Sequence, residues 1–227
     1  MDSGVEKDGW LLSGNEAVAR GAYEAGLKFA SAYPGTPSSE ILESLAQFDE
    51  VNCQWSVNEK VAYEVALSSA IGGLRSLYAS KHVGVNVAAD PLMTSAYVGV
   101  NAGFVAVTCD DPNMHSSQNE QDNRFYALMA KIPLIEPSSP SEAKEFIKKA
   151  FIISERFDTP VLFRMTTRIS HSKEVVKFNT RRDGGPREFK IDIKKYVMVP
   201  KNAYRRHIIL EERLQRLEKF SNRTSLN

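Results

Sequence analysis

The sequence predicts an α/β fold, a three-layer sandwich in which helices cover both faces of a mainly parallel sheet, over residues 9–170. Short segments that are apolar throughout alternate with longer segments of helical periodicity. Strands without a polar face are typical of a parallel sheet buried on both sides, and each parallel connection needs a crossover as long as a helix. With 227 residues, 42% of them hydrophobic, the chain can bury one sizeable core.

The first elements carry local signals for their starts and ends. Ser13 and Glu16 have the spacing of a capping box, which predicts a helix from there to about Gly26. A buried strand over residues 28–33 follows and is broken by two prolines and a glycine. Thr36 is placed to cap the next helix, with Pro37 at its first helical position.

The alternation continues as far as residue 165. The remaining predicted strands are 51–56, 76–80, 104–109, 133–136 and 160–165, and the predicted helices are 58–71, 90–100, 120–130 and 141–156. Small residues at helical spacing in the helix over 58–71 suit close packing, either against a second subunit or inside the chain's own core.

The composition changes after residue 170. Residues 1–170 hold 14 Lys and Arg against 21 Asp and Glu, whereas residues 171–227 hold 15 against 7. We therefore expect a domain of residues 9–170 and a basic extension of residues 171–227, with a short helix over 211–220 where Leu214, Leu217 and Phe220 share a face. A basic extension could dock on an acidic partner; it has no nucleic-acid-binding signature, so we expect no nucleic acid.

Several classes of site are excluded by composition. Cys53 and Cys109 stand far apart in apolar segments, so the sequence predicts no disulfide framework, no bound metal and no iron–sulfur cluster in this chain. No apolar run is long enough for a membrane helix, and the N-terminus lacks the order of a signal peptide, so we expect a cytoplasmic protein without membrane contact.

Polar loops should gather at one edge of the sheet, because ligands of parallel sheets bind beyond the carboxyl ends of the strands. The informative stretches are YPGTPSSE (33–40), WSVNEKVAYEVA (55–66), KHVGVNVAADPLMTSAY (81–97) and DDPNMHSSQNEQDNR (110–124). In order and spacing they resemble the 2-oxoacid:ferredoxin oxidoreductases, most closely the alpha subunit of the indolepyruvate type. The likeness covers roughly residues 10–170.

The resemblance implies a pyrimidine-binding module of a thiamine diphosphate enzyme, with Glu59 at the position of the catalytic glutamate. There a carboxyl group bonded to N1′ of the cofactor controls the tautomer of its aminopyrimidine. The alternative is that Glu59 only stabilises the start of a helix capped by Asn58. Thr36 matches the family's Y-P-x-T-P motif and is expected near the cofactor, unless it serves only as the helix cap.

Candidate substrate contacts lie in the two later loops. The resemblance places His82 in a pocket-lining loop, as a donor to cofactor or substrate, although a loop histidine is more often a surface residue. Gln121 falls in an E-Q-x-D motif near the family's substrate pocket, or caps the next helix. Arg124 could pair with a substrate carboxylate. His115 is a further candidate for contact with the substrate. Its loop contains Ser, His and Asp, but it lacks the nucleophile elbow of a hydrolase, so the sequence does not predict a hydrolase triad.

The sequence also departs from the family. It contains no Gly-Asp-Gly motif for diphosphate and Mg²⁺ and no C-x-x-C run. The resemblance therefore implies oligomeric assembly with a diphosphate-binding module and a ferredoxin-type subunit or domain, to oxidise aryl 2-oxo acids with coenzyme A. A non-catalytic assembly or regulatory subunit is the alternative. A generic nucleotide-binding protein is disfavoured because no phosphate-binding loop is present.

Overall fold

The computed structural model describes residues 9–182 and 184–226. Its strands are β1 (Trp10–Ser13), β2 (Phe29–Ala32), β3 (Asn52–Trp55), β4 (Ser76–Lys81), β5 (Phe104–Asp110), β6 (Leu134–Ile135), β7 (Val161–Thr166) and β8 (Lys173–Val176). Its helices are α1 (Gly14–Glu24), α2 (Ser39–Leu45), α3 (Glu59–Ile71), α4 (His82–Val87), α5 (Ala89–Val98), α6 (Arg124–Ala130), α7 (Pro140–Phe157), α8 (Thr167–His171), α9 (Ile193–Tyr196) and α10 (Pro200–Ser221).

Six strands form one parallel sheet in the order β3-β2-β4-β5-β7-β6. Alternate side chains of β5 enter two different core clusters, as the pleat of a strand requires. One cluster packs α1, α2 and α7 on the sheet, and the other packs α3, α5 and α6 on its opposite face. The predicted three-layer α/β sandwich is confirmed. Of the small residues of α3, Ala62, Ala66 and Ala70 are buried inside this core and are not free to contact a second subunit, whereas Ser69 is half-buried.

A two-stranded antiparallel ribbon, which the sequence analysis missed, pairs β1 with β8. It joins residues 10–13 to residues 173–176, on the other side of the boundary predicted near residue 170. The basic extension is therefore attached to the main sheet domain from its first residues.

Part of the positive charge of the extension is used inside the chain. Five of its basic side chains donate to backbone carbonyls at or just beyond the C-terminal ends of two helices. They are Arg181 at the end of α1, and Arg187, Lys195, Arg206 and Arg213 at the end of α5. The last carbonyls of a helix lack partners and carry partial negative charge, so cations stabilise them. These charges are explained by the fold without an acidic partner.

The terminal helix is longer than predicted. The sequence predicts a short helix over residues 211–220, whereas α10 has 22 residues and begins at Pro200. Its first half was missed because the buried positions there include Asn202 and Arg206, which interrupt the apolar pattern. Both side chains donate to backbone carbonyls, so burial does not leave them unpaired.

Three predictions at the carboxyl edge of the sheet were wrong in detail. Thr36 does not cap a helix, because α2 begins at Ser39 and residues 33–38 form a separate turn. The helix predicted over residues 120–130 begins only at Arg124, after a long loop. His82 belongs to the short helix α4 and not to a loop.

Candidate functional site

The carboxyl edge of the sheet gathers the segments that the sequence analysis singled out. β4 lies between β2 and β5. The turn after β2 carries Thr36, the chain after β4 carries His82, and the loop after β5 spans residues 111–123. The helix after β3 begins with Glu59, which therefore reaches the same edge.

Glu59 is half-buried and held against the backbone of α4. Asn58 caps α3 by accepting a hydrogen bond from the Val61 amide at 2.9 Å, which fixes Glu59 in the first turn. A Cβ added to Gly84 would lie 2.7 Å from both Cγ and Oε1 of Glu59, so only glycine permits this contact. Burial raises the pKa of the Tyr78 phenol, and the negative charge of Glu59 adds to the rise. The carboxyl group thus has a defined place beside β4.

Buried polar atoms without a partner cluster near this carboxyl group. Among the described residues, no hydrogen-bond partner is found for His82 Nδ1 or Asn123 Oδ1, and Tyr78 Oη and Ser80 Oγ have none except each other. Unsatisfied buried polar groups are rare in folded proteins. Their concentration where β4 ends indicates a place that a ligand or water completes.

Thr36 is exposed in a turn that its neighbours hold rigidly. Asn15, which is fully buried, donates from Nδ2 to the Pro37 carbonyl at 2.7 Å. Ser38 Oγ donates to the Gly35 carbonyl at 2.8 Å. The Thr36 carbonyl accepts from Ser116 Oγ at 3.3 Å, which ties the turn to the loop after β5. The Thr36 hydroxyl is therefore not used as a helix cap.

His82 is fully buried at the start of α4, which rules out the surface alternative. Its Nε2 lies 3.0 Å from the Asn119 carbonyl, while its own carbonyl accepts from Asn123 Nδ2 at 3.1 Å. The ring is thus clamped between α4 and the loop after β5.

A buried ion pair that the sequence analysis missed supports this loop. Arg164 Nε donates to Asp110 Oδ2 at 2.7 Å, and Arg164 also pairs with Glu136. Asp110 accepts from the Asn123 amide at 3.0 Å as well. Burial raises the pKa of the Asp110 carboxyl, although Arg164 and the hydrogen bonds oppose the rise. The signal available in the sequence was Arg164 itself, a charged residue inside an otherwise apolar strand.

The loop of residues 111–123 is folded around one carboxylate. Asp111 accepts from the Ser116 amide, Ser117 Oγ and Thr167 Oγ1 at 2.7–2.8 Å. Burial opposes ionisation, but these hydrogen bonds prevail and hold the pKa of Asp111 far below its usual range. Lys81 Nζ donates to the Ser116 carbonyl at 2.8 Å. The loop is therefore fixed over the end of β4.

The remaining candidates are placed less centrally. Gln121 forms a reciprocal amide pair with Asn86 of α4, with hydrogen bonds of 2.8 and 3.0 Å. Arg124 is exposed and bound by Asp122 at 2.7 Å, and His115 is an exposed loop residue. The structure thus brings Thr36, Glu59 and His82 to one edge, with Gln121 against α4.

No group of His, Cys, Asp and Glu suited to a metal ion occurs within residues 9–182 and 184–226. Nor does any helix of that part combine the length and apolar character needed to cross a membrane. A parallel α/β sheet with polar loops at the carboxyl ends of its strands is the arrangement in which open α/β domains bind ligands.

Comparison with known proteins identifies the family. The model described as pyruvate flavodoxin/ferredoxin oxidoreductase, thiamine diphosphate-binding, matches residues 20–213. The chain belongs to this family.

The curated relatives are longer than this chain. The indolepyruvate oxidoreductase subunit IorA of Archaeoglobus fulgidus is 46% identical over 226 residues, which cover 96% of this chain and 36% of that protein. IorA of Methanothermobacter thermautotrophicus is 48% identical over 226 residues, which cover 98% of this chain and 37% of that protein. The 2-oxoglutarate synthase subunit KorA of Methanothermobacter thermautotrophicus is 28% identical over 187 residues, which cover 76% of this chain and 48% of that protein. The chain thus spans about a third of the length of the IorA proteins.

A solved structure confirms the fold. A 2-oxoglutarate:ferredoxin oxidoreductase from Magnetococcus marinus, with 2-oxoglutarate, coenzyme A and succinyl-CoA bound, superposes with a TM-score of 0.76. The superposition covers 97% of this chain and 47% of that one, at 15% sequence identity.

Proposed function

We propose that this chain supplies the pyrimidine-side half of the active site of a thiamine diphosphate-dependent oxidoreductase that acts on aryl 2-oxo acids such as indolepyruvate. The cradle that Gly84 and α4 form around the Glu59 carboxyl group carries the proposal. The family match and the identity to IorA proteins support it. Electron transfer to ferredoxin, acyl transfer to coenzyme A and a cytoplasmic location are parts of the same proposal.

The residues present fit the aminopyrimidine end of thiamine diphosphate. Glu59 offers a carboxyl group, and the unpartnered His82 Nδ1 belongs to the start of α4, the helix that contacts Glu59 through Gly84. When bound, the cofactor supplies a nucleophilic carbon that stabilises the charge left by decarboxylation. Glu59 would hold a proton at the ring nitrogen N1′ of the cofactor, and the rigid turn of Thr36 would border the reacting end.

The diphosphate group, its Mg²⁺ and the iron–sulfur clusters are assigned to another polypeptide or another part of a longer one. Mg²⁺ is usually held by carboxylates together with phosphate oxygens. Large apolar side chains next to the site support docking of that module, because exposed patches of this kind mark interaction surfaces. Phe125, Leu128 and Met129 on one face of α6 are 68%, 73% and 64% exposed.

Isothermal titration of thiamine diphosphate with Mg²⁺ tests this division of the site. The chain alone should bind weakly or not at all, because the diphosphate and metal provide much of the affinity. A mixture with the diphosphate-binding partner should bind and turn over indolepyruvate. Tight binding to the chain alone would contradict the division. Binding by the mixture without turnover of any 2-oxo acid would favour the non-catalytic assembly subunit.

The Gly84 contact gives a second prediction. In the assembled enzyme, Gly84→Ala should lower turnover at least tenfold while the chain stays folded, because the new Cβ displaces the Glu59 carboxyl group. Gly72→Ala is the matched control, since its Cβ would meet only carbonyl oxygens at 3.4 Å. Turnover rates and thermal unfolding of both variants are measured. Equal activity of the two variants would show that the cradle has no catalytic role.

A further inference from the structure

Lys81 occupies the centre of the site edge. It is the last residue of β4, the strand between β2 and β5. Its aliphatic stem lies along Gly35 of the Thr36 turn, where an added Cβ would come within 3.3 Å of Lys81 Cδ. Three residues after Lys81 the chain reaches Gly84, which contacts Glu59. The ammonium group is thus positioned between the Thr36 turn and the loop after β5.

The Lys81 ammonium has unused binding capacity. It carries three hydrogen-bond donors, and one of them is used on the Ser116 carbonyl at 2.8 Å. Among the described residues, no carboxylate lies within ion-pair distance of it. Two other cations near this edge are already paired, since Arg164 binds Asp110 and Arg124 binds Asp122. Lys81 is therefore better placed than Arg124 to receive an anion.

We propose that Lys81 binds the carboxylate of the 2-oxo acid substrate, an inference that rests on the proposed function. A 2-oxo acid is an anion at neutral pH, and an ammonium group donates charge-assisted hydrogen bonds to a carboxylate. The contact is made to the bound substrate before its carboxylate departs as carbon dioxide. Lys81 thus contributes substrate affinity and selection for acids, and Glu59 contributes the proton control.

The test uses the assembled enzyme with indolepyruvate as substrate. Lys81→Met should raise KM by about 10- to 100-fold and change kcat by no more than about threefold, because the lost contact binds the substrate. Lys81→Arg should recover most of the affinity, since it keeps the charge. Lys173→Met, which removes an exposed lysine of the ribbon, should behave as wild type.

A neutral probe separates charge recognition from a structural role. The inhibition constant of 3-indolepropionate should rise in Lys81→Met, while that of its uncharged amide should stay constant. An unchanged KM in Lys81→Met, or an equal loss of both inhibitors, would overturn the assignment and leave Lys81 as a tether of the loop. A wild-type enzyme that turns over no aryl 2-oxo acid would instead overturn the proposed function.

Discussion

Glu59→Gln should lower the turnover of aryl 2-oxo acids by about 10²–10⁴-fold, the range expected when a group that controls a proton is removed. Glutamine keeps the size of the side chain and its contact with Gly84, but it loses the acidic proton. The stability of the chain should hardly change, because Glu59 is half-buried and no ion pair with it is found in the described part of the chain. Single-turnover kinetics of the assembled enzyme measure the effect, and urea unfolding of the same preparations checks the fold.

Glu64→Gln provides the matched control on the same helix. Glu64 is exposed, and its one described ion pair is a distant contact with Lys60 at 4.0 Å. The substitution Glu64→Gln should lower the free energy of unfolding by less than about 1 kcal/mol and should leave turnover unchanged. If Glu59→Gln retained wild-type turnover, the carboxyl group would have only its alternative role at the start of α3, and the proposed mechanism would be wrong.

Most strands of the parallel sheet could be predicted because they are short runs in which apolar residues dominate. In β4 and β5 only the final Lys81 is not buried, and both strands are short runs with apolar residues on each face. The edge strand β6 has two residues, and it too was predicted from its apolar character. Local composition decides such elements, so no knowledge of distant contacts was needed.

Elements that depend on distant contacts could not be predicted. The first half of α10 buries Arg206 against carbonyls of α5 more than 100 residues away, and the arginine reads as a solvent-exposed residue. The helix α4, with the sequence HVGVNV, has weak helix formers throughout, because glycine and β-branched residues disfavour helices. It forms where Asn123 binds the His82 carbonyl and Gly84 packs on Glu59.

The candidate site divides in the same way. Glu59 and Thr36 could be selected as candidates from the sequence, because each lies in a short motif of consecutive residues. The pairing of Asp110 with Arg164 was missed, because it requires the register that places Thr108 opposite Arg164 in neighbouring strands. The spare donors of Lys81 also appear only when its neighbours across the turn and the loop are known.

Asp158→Asn should produce the largest loss of stability, about 2 kcal/mol, because it leaves two buried arginines without their carboxylate, while the 35% exposure of the Asp158 side chain keeps the loss below that of a fully buried ion pair. One carboxylate binds Lys195 at 2.9 Å, Arg206 at 3.1 Å and Arg213 at 3.5 Å. The two arginines are buried, and burial lowers the pKa of Arg213 to about 10 although Asp158 opposes the shift. Without the negative charge, three cations remain close together at the junction of α5, α7 and α10.

Asparagine isolates the charge from the backbone geometry. Asp158 ends α7 in a left-handed conformation with φ of 54°, which asparagine also adopts readily. Asp158 Oδ1 accepts a hydrogen bond from the Val100 backbone amide at 2.8 Å, and the side-chain oxygen of asparagine can accept the same bond. A measured loss is therefore attributable to the carboxylate charge and to its three cationic partners.

Asp90→Asn is the control, because Asp90 pairs with Lys60 at 2.8 Å but its side chain is 75% exposed. Exposed ion pairs contribute less than about 1 kcal/mol. Urea unfolding gives the free energies, and amide hydrogen exchange shows whether α10 opens before the sheet does. Equal losses in the two variants would mean that the basic extension is held by its other contacts, which include the β1–β8 ribbon and the hydrogen bonds of its arginines to backbone carbonyls. A selective loss with early exchange in α10 would show that one carboxylate fastens the extension to the domain.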